Sequence, residues 1–278
     1  MVLLLTGASG FVGSKVLEKL AKNGIKVVGI SRTSRAKGIK AMDLAKDFDL
    51  PGNFSGTFHL AGKNHLQGKE TPLEYFKANL NTTINVLEFC RKKDIERIVF
   101  SSSLSVYGKK FFGTITEQTV PQPDSAYALS KWFAEQAIEL YHQLYRIKYS
   151  ILRYSTVFGP NQGDNAVSAF KEKCRRNLDI EIERDSFRNF VFVEDVAAAT
   201  VSAMEIKGNE IFNIASAENV SLSQLANAVK AALGSNSHIY VKGPAKNEFK
   251  IDISKAEKHL GFKESVPFDG RIKDAVLY

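Results

Sequence analysis

The chain has 278 residues, 44% of them apolar and 24% charged, and carries a formal net charge of +8. That length suits one large domain or a main domain with a smaller lobe, and the composition excludes a disordered or fibrous chain. No apolar run is long enough for a membrane span, and the basic residues are scattered without an RNA-binding signature or a DNA-reading helix, so neither a membrane nor a nucleic acid is expected as a partner.

In chain order, residues 2–5, 25–30, 57–60, 97–101 and 149–152 are short apolar runs without alternation, the pattern of strands buried on both faces. The first run ends in glycines and lacks a basic flank or a cleavage site, so it is expected to be a strand and not a signal peptide. Helical patterns lie between the runs. Val12, Val16, Leu17 and Leu20 share a face before Asn23-Gly24, and further helices are expected at 80–89 and 128–144. This alternation predicts an α/β fold with a doubly wound parallel sheet. Gly159-Pro160-Asn161 then breaks the chain, and a basic helical segment comes after it. After a short strand, a helix is expected over 191–204, then a strand at 211–214, and a helix at 222–233 closed by Gly234. Cys90 and Cys174 form no metal-ligand spacing, so no metal is expected, and two idle thiols suit a reducing cytoplasm.

Thr6-Gly7-Ala-Ser-Gly10-Phe11-Val12-Gly13 sits between the first strand and the first helix. Glycines three apart allow a tight turn, close approach to a pyrophosphate, and close packing of helix on sheet, while the helix N-terminus offers N–H groups to phosphate. Gly7, Gly10, Phe11, Val12 and Gly13 are therefore candidate contacts for a dinucleotide cofactor. A Rossmann domain is expected over residues 1–154, rejoined by about 188–214, with a small C-terminal substrate-binding lobe mainly within 155–278. The second strand ends Ser31-Arg32-Thr-Ser-Arg35, with Ser31 where a carboxylate would mark NAD. Two guanidiniums can bind a 2′-phosphate, so the cofactor is NADP or NAD, with NADP favoured, and Ser31, Arg32 and Arg35 are candidate contacts.

Tyr127-Ala-Leu-Ser-Lys131 comes after the possible caps Asp124 and Ser125, which places Tyr127 and Lys131 on one helical face. A neighbouring ammonium, together with an oxidised nicotinamide, would favour the phenolate and let Tyr127 act as a base. Ser101-Ser102-Ser103-Leu104-Ser105-Val106-Tyr107-Gly108 continues an apolar strand, so its hydroxyls are expected at the carboxyl end of the sheet.

These motifs resemble the extended short-chain dehydrogenase/reductase family, in its NAD-dependent epimerase/dehydratase branch. The resemblance runs to about residue 265, through Leu152-Arg153-Tyr154-Ser-Thr-Val-Phe-Gly159-Pro160, Arg188-Asn-Phe-Val-Phe-Val-Glu-Asp195 and Phe212-Asn213-Ile. It implies that Ser103 hydrogen-bonds the reacting oxygen, Tyr127 moves its proton, and Lys131 holds the ribose and tunes Tyr127. It further implies cofactor contacts from Asp43, Leu44, Leu60, Ala61, Gly62 and Asn79. A nucleotide-sugar substrate would be held by Ser103, Thr156 and Arg188, the last at its diphosphate.

Family members differ in the fate of the keto sugar formed by transient oxidation. Dehydratases resemble this chain but carry Asp-Glu where it has Leu104-Ser105. Decarboxylases have Glu, and fucose synthases Cys, at the position of Ser105. A nucleotide-sugar epimerase remains, with an NADP-dependent ketoreductase or a non-catalytic dinucleotide sensor as alternatives. Thr156 and Phe192 depart from the Asn and His usual in epimerases. The family often forms homodimers through two helices, which residues 81–89 and 132–145 could supply here.

Overall fold

The computed structural model describes residues 2–33, 38–64, 70–109, 113–162, 165–243, 249–265 and 268–277. Strand β1 (Val2–Thr6) sends Leu3 and Leu5 into one apolar cluster and Leu4 into another, because alternate residues of a strand face opposite sides. Helix α1 (Phe11–Lys22) lays Val16 and Leu20 on the first cluster and ends at Asn23, where Gly24 takes a φ of +70°. Strands β2 (Lys26–Ser31), β3 (Ile39–Ala41) and β4 (Gly56–His59) come next. A long helical run then comprises α2 (Pro72–Tyr75), a π-helical stretch at Phe76–Asn81, and α3 (Thr82–Lys92). Strand β5 (Arg97–Ser103) ends in a 3-10 turn, and β6 (Gly113–Ile115), α4 (Ala126–Tyr145) and β7 (Lys148–Tyr154) succeed it.

Among the described residues, seven strands form one parallel sheet in the order β11-β7-β5-β4-β1-β2-β3, where β11 is Glu210–Ile214. The strand order reverses between β1 and β4, and α/β folds bind ligands at such a point, beyond the carboxyl ends of the strands. Helix α1 and helix α6 (Val193–Ser202) cover one face, and α3 and α4 cover the other. The expected doubly wound parallel sheet is present.

The remaining elements are β8 (Thr156–Phe158), α5 (Ala166–Arg175), β9 (Ile180–Ile182), β10 (Phe187–Phe192), β12 (Asn219–Ser221) and α7 (Leu222–Leu233). The C-terminal stretch adds β13 (Ile239–Val241), β14 (Phe249–Ile251), α8 (Ser254–Leu260) and α9 (Phe268–Leu277). A third apolar cluster joins α5, α7 and α9 through Val167, Leu225, Val229, Ile272 and Val276, with Phe158 and Phe190 from the strands beside them. The helix expected from residue 191 starts two residues later. Phe190, Val191 and Phe192 pair in parallel with Thr156, Val157 and Phe158, and that ladder keeps the segment extended. Among the described residues no helix is long and apolar enough to cross a membrane, and no group of acidic, His or Cys side chains could hold a metal.

Candidate active site

The glycine turn meets the turn after β4 at the reversal of strand order. Gly7 has a φ of +71°, and a Cβ there would sit 2.7 Å from the Ala61 nitrogen and the Leu60 carbonyl carbon. A Cβ on Gly13 would lie 2.0 Å from the Gly7 carbonyl oxygen. A side chain fits at neither position. Gly10 caps α1 in an extended conformation without a side-chain hydrogen bond, which leaves the helix N-terminus open to a phosphate. Phe11 and Val12, in the first turn, are half-buried. The Phe11 ring reaches Gly159, where a Cβ would come within 3.3 Å of it.

A buried hydrogen-bond chain fixes this junction. Thr83 Oγ1 donates to the Asn79 carbonyl oxygen at 2.7 Å, so it accepts from His59 Nε2 at 3.0 Å. His59 Nδ1 is then the acceptor for Thr6 Oγ1 at 2.7 Å, and Thr6 Oγ1 in turn accepts the Ala61 N–H at 3.2 Å. Burial, with the nearby Lys131 charge, pushes His59 down to about 3, so the ring stays neutral in one tautomer.

Asn79 belongs to the π-helical stretch, and π turns recur at functional sites. Its Oδ1 accepts the Lys63 N–H at 2.7 Å, and its Nδ2 donates to Ser130 Oγ at 2.9 Å. Ser130 Oγ donates to the Tyr127 carbonyl oxygen at 2.7 Å, which ties the stretch to α4. A Cβ on Gly62 would meet Asn79 Oδ1 at 2.8 Å and Lys131 Nζ at 3.2 Å. Leu60, Ala61, Gly62, Asn79 and Lys131 are therefore brought together.

Ser125 caps α4, its Oγ accepting the Ala128 N–H at 3.2 Å. Tyr127 and Lys131 then face the end of β5. Tyr127 hydrogen-bonds the Ser103 side chain, and Lys131 Nζ donates to the Ser101 carbonyl oxygen at 2.8 Å. Burial pushes the Tyr127 phenol up from its ordinary value, and the Ser103 hydrogen bond pulls it partly back. The protein alone thus keeps this phenol protonated. Burial lowers Lys131 to about 8, against the opposing pull of Glu135.

The other sequence candidates lie around this centre. Ser31 is buried at the end of β2 with its hydroxyl on Ser9 Oγ, and Arg32 beside it is exposed. Arg35 lies outside the described residues. Asp43 is exposed and accepts the Ala45 N–H, whereas Leu44 is buried and its carbonyl oxygen accepts from Asn85 Nδ2 at 2.9 Å. Thr156 opens β8 half-buried and pairs with Phe190, two residues past Arg188. Arg188 is exposed on β10, its guanidinium on the Phe187 carbonyl.

Sequence patterns did not single out Tyr75 or Lys63. The Tyr75 ring meets Tyr127 edge-on at 5.8 Å between centroids, and its hydroxyl donates to Glu70, which also pairs with Lys63 at 3.3 Å. One signal was present: Thr71-Pro72-Leu-Glu74 is a capping box, with the Thr71 side chain accepting the Glu74 N–H and the Glu74 carboxylate accepting the Thr71 N–H. It places the helix start at Pro72, eight residues before the expected one.

A nicotinamide dinucleotide fits these residues. Gly7, Gly13 and Gly62 let the glycine turn, the turn after β4 and the Asn79–Lys131 side chains approach one another more closely than a side chain would allow, and the open α1 N-terminus suits a pyrophosphate.

Comparison with known proteins agrees. The family model described as "NAD dependent epimerase/dehydratase family" matches residues 3–215. A Methanocaldococcus jannaschii protein named "Putative UDP-glucose 4-epimerase" is 34% identical over 99% of this chain and 97% of its own length. The UDP-glucuronate 4-epimerase of Thermodesulfobacterium geofontis is 27% identical over 98% of this chain and 94% of its own. Among solved structures, Thermotoga maritima UDP-glucose 4-epimerase with UDP-glucose superposes with a TM-score of 0.88 at 27% identity, covering 100% of this chain and 98% of that one. Bacillus cereus UDP-glucuronic acid 4-epimerase in complex with NAD gives 0.86 at 28% identity over the same shares. With its glycine turn at the strand reversal and most of its length matched, the chain belongs to the NAD-dependent epimerase/dehydratase family.

Proposed function

We propose that this protein is a 4-epimerase of UDP-sugars that keeps its cofactor through each turnover. The observation that carries the reading is the Ser103–Tyr127 hydrogen bond beside Lys131, at the mouth of the glycine turn. The names of the relatives support the substrate class.

When bound, the dinucleotide supplies a hydride acceptor and a positive ring charge that favours the Tyr127 phenolate. Ser103 donates to the sugar oxygen that changes oxidation state, and Tyr127 Oη takes the proton from that oxygen and later returns it. Lys131 holds a ribose hydroxyl and lends its charge to Tyr127. Gly7, Gly10, Phe11, Val12 and Gly13 line the pyrophosphate turn. Asp43 and Leu44 flank the adenine, and Leu60, Ala61, Gly62 and Asn79 run beside the nicotinamide half. Arg188 receives the substrate diphosphate, and Thr156 contacts the sugar or diphosphate where an amide is more usual. Substrate binding falls mainly to residues 155–278, and dinucleotide binding to 1–154 with 188–214.

Ser31 presents a hydroxyl and not a carboxylate where the adenosine ribose would lie, with Arg32 exposed next to it. NADP is therefore accepted at least as well as NAD. The protein works as a homodimer in the cytoplasm, with α4 at the interface: Phe133, Leu140, Leu144 and Tyr145 are exposed apolar side chains on that helix.

The test is incubation of purified protein and dinucleotide with UDP-glucose, UDP-galactose, UDP-glucuronate and UDP-galacturonate, with products resolved by chromatography. Interconversion of one pair at the 4-position without net change in nicotinamide absorbance is expected. Stoichiometric consumption of NADPH would make it a ketoreductase instead. No turnover, with binding intact, would make it a sensor.

A further inference from the structure

Three consecutive serines of β5 each bind α4. Ser101 offers its carbonyl to Lys131 Nζ at 2.8 Å, Ser103 hydrogen-bonds Tyr127, and Ser102 Oγ donates to Glu135 Oε1. Tyr127, Lys131 and Glu135 succeed one another at four-residue intervals, so they form one stripe of the helix. The proposed mechanism uses the first two and leaves Glu135 without a part.

Glu135 is 1% exposed. Arg153 of β7 clamps it from one side, Nη2 donating to Oε2 at 2.7 Å and Nε to Oε1 at 3.2 Å. Arg153 is itself fixed: Nη1 donates to Tyr107 Oη at 2.8 Å, and Tyr107 Oη donates to Asn213 Oδ1 at 2.8 Å. Two side chains of similar volume without charge could fill this place at little or no cost to stability, so stability alone gives a weak reason for the pair. A carboxylate one helical turn from a buried ammonium does something a neutral side chain cannot. It favours the charged form of Lys131, which burial disfavours.

The groups around Lys131 are few. Tyr127 and Glu135 share its helix, neutral His59 faces it from β4, and Arg153 from β7 is engaged with Glu135. Strand β5 contributes the Ser101 carbonyl and the Phe100 ring, whose centroid is 4.9 Å from Nζ. Of these, Glu135 carries the negative charge.

We propose that Glu135 is a positioning residue of this site: held by Arg153 and Ser102, it keeps Lys131 charged against the Ser101 carbonyl and sets α4 on β5 so that Tyr127 meets Ser103. The proposal rests on the Tyr127–Lys131 reading of the site.

The test compares wild type, Glu135→Gln and the double variant Glu135→Gln/Arg153→Gln across pH 6 to 10. Two quantities are measured: kcat and KM for UDP-sugar epimerisation at saturating NAD, and the NAD dissociation constant by calorimetry. The double variant carries the test if the single one, with Arg153 left unpaired, does not fold. The expected result is a downward move of about one pH unit in both the alkaline limb of kcat and the midpoint at which NAD binding weakens, with KM within about threefold. Unmoved midpoints, with only a lower melting temperature or a uniformly lower kcat, would overturn the proposal. If the wild type binds NAD but epimerises nothing, the epimerase reading fails and the NAD midpoint still decides the role of Glu135. Failure to bind NAD overturns both.

Discussion

Thr6 Oγ1 lies 2.7 Å from His59 Nδ1, a contact that joins the last residues of two neighbouring strands just below the glycine turn. Because His59 Nε2 is committed to Thr83, the imidazole can accept a proton only by breaking this contact at a fully buried position. The ring is held down at about 3 by burial, then by Lys131, whereas an unfolded chain titrates near 6.5. The depressed value means that His59 contributes full stability above about 6.5, and that this contribution is lost as pH falls towards 3. Comparison of urea denaturation of wild type and His59→Gln at pH 7 and pH 5 is expected to show a loss of about 2 kcal/mol on acidification that the variant lacks. Equal slopes in the two proteins would exclude a buried neutral imidazole.

The glycines of the turn are not equivalent. Gly13→Ala sets a methyl 2.0 Å from the Gly7 carbonyl oxygen, whereas Gly10→Ala sets one at 3.1 Å. Gly13→Ala is expected to weaken NAD binding by about tenfold or more, or to prevent folding, and Gly10→Ala to do clearly less. Calorimetry beside thermal melts separates the two.

Tyr127→Phe keeps the ring against Tyr75 and removes only the hydroxyl on Ser103. Epimerisation is expected to slow by about 10² to 10⁴, with NAD affinity and melting temperature nearly unchanged. A variant with more than a tenth of wild-type kcat would remove Tyr127 from proton transfer.

Ser31→Asp places a carboxylate at the end of β2 beside Ser9. The ratio of NADP to NAD affinity, measured by calorimetry, is expected to fall by about tenfold or more, because the carboxylate repels a 2′-phosphate and accepts from ribose hydroxyls. An unchanged ratio would show that this strand end does not face the adenosine.

Leu140 and Leu144, 49% and 61% exposed, lie one turn apart on α4. The double variant Leu140→Glu/Leu144→Glu is expected to sediment as a monomer where the wild type sediments as a dimer. Unaltered sedimentation would move the interface off this face.

Much of this arrangement was legible in local pattern. Unalternating strands such as residues 97–101 announce a sheet covered on both faces, and Gly7 to Gly13 mark the turn whose backbone approach the geometry displays. Tyr127 and Lys131 share a face by helical arithmetic alone. What stayed hidden depends on partners far along the chain. Nothing near Glu135 signals Arg153, and nothing near Tyr75 signals that its ring meets Tyr127. Strands as short as β8 and β12 owe their form to pairing with β10, not to their own few residues. Arg188 and Thr156 come from resemblance, since an exposed guanidinium on a strand carries no local mark of a diphosphate.

The wide turn within the helical run at Phe76–Asn81 works as a phase shifter. Its i→i+5 ladder takes up about one residue more than a regular helix would over the same sweep, so a further inserted residue that the ladder did not absorb would rotate one half against the other by about 100°. Tyr75 on the near side and Thr83 on the far side could then no longer address Tyr127 and His59 at once. Substitutions along this stretch adjust contacts one at a time, but such an insertion would uncouple the sugar side of the cleft from the dinucleotide side in a single step.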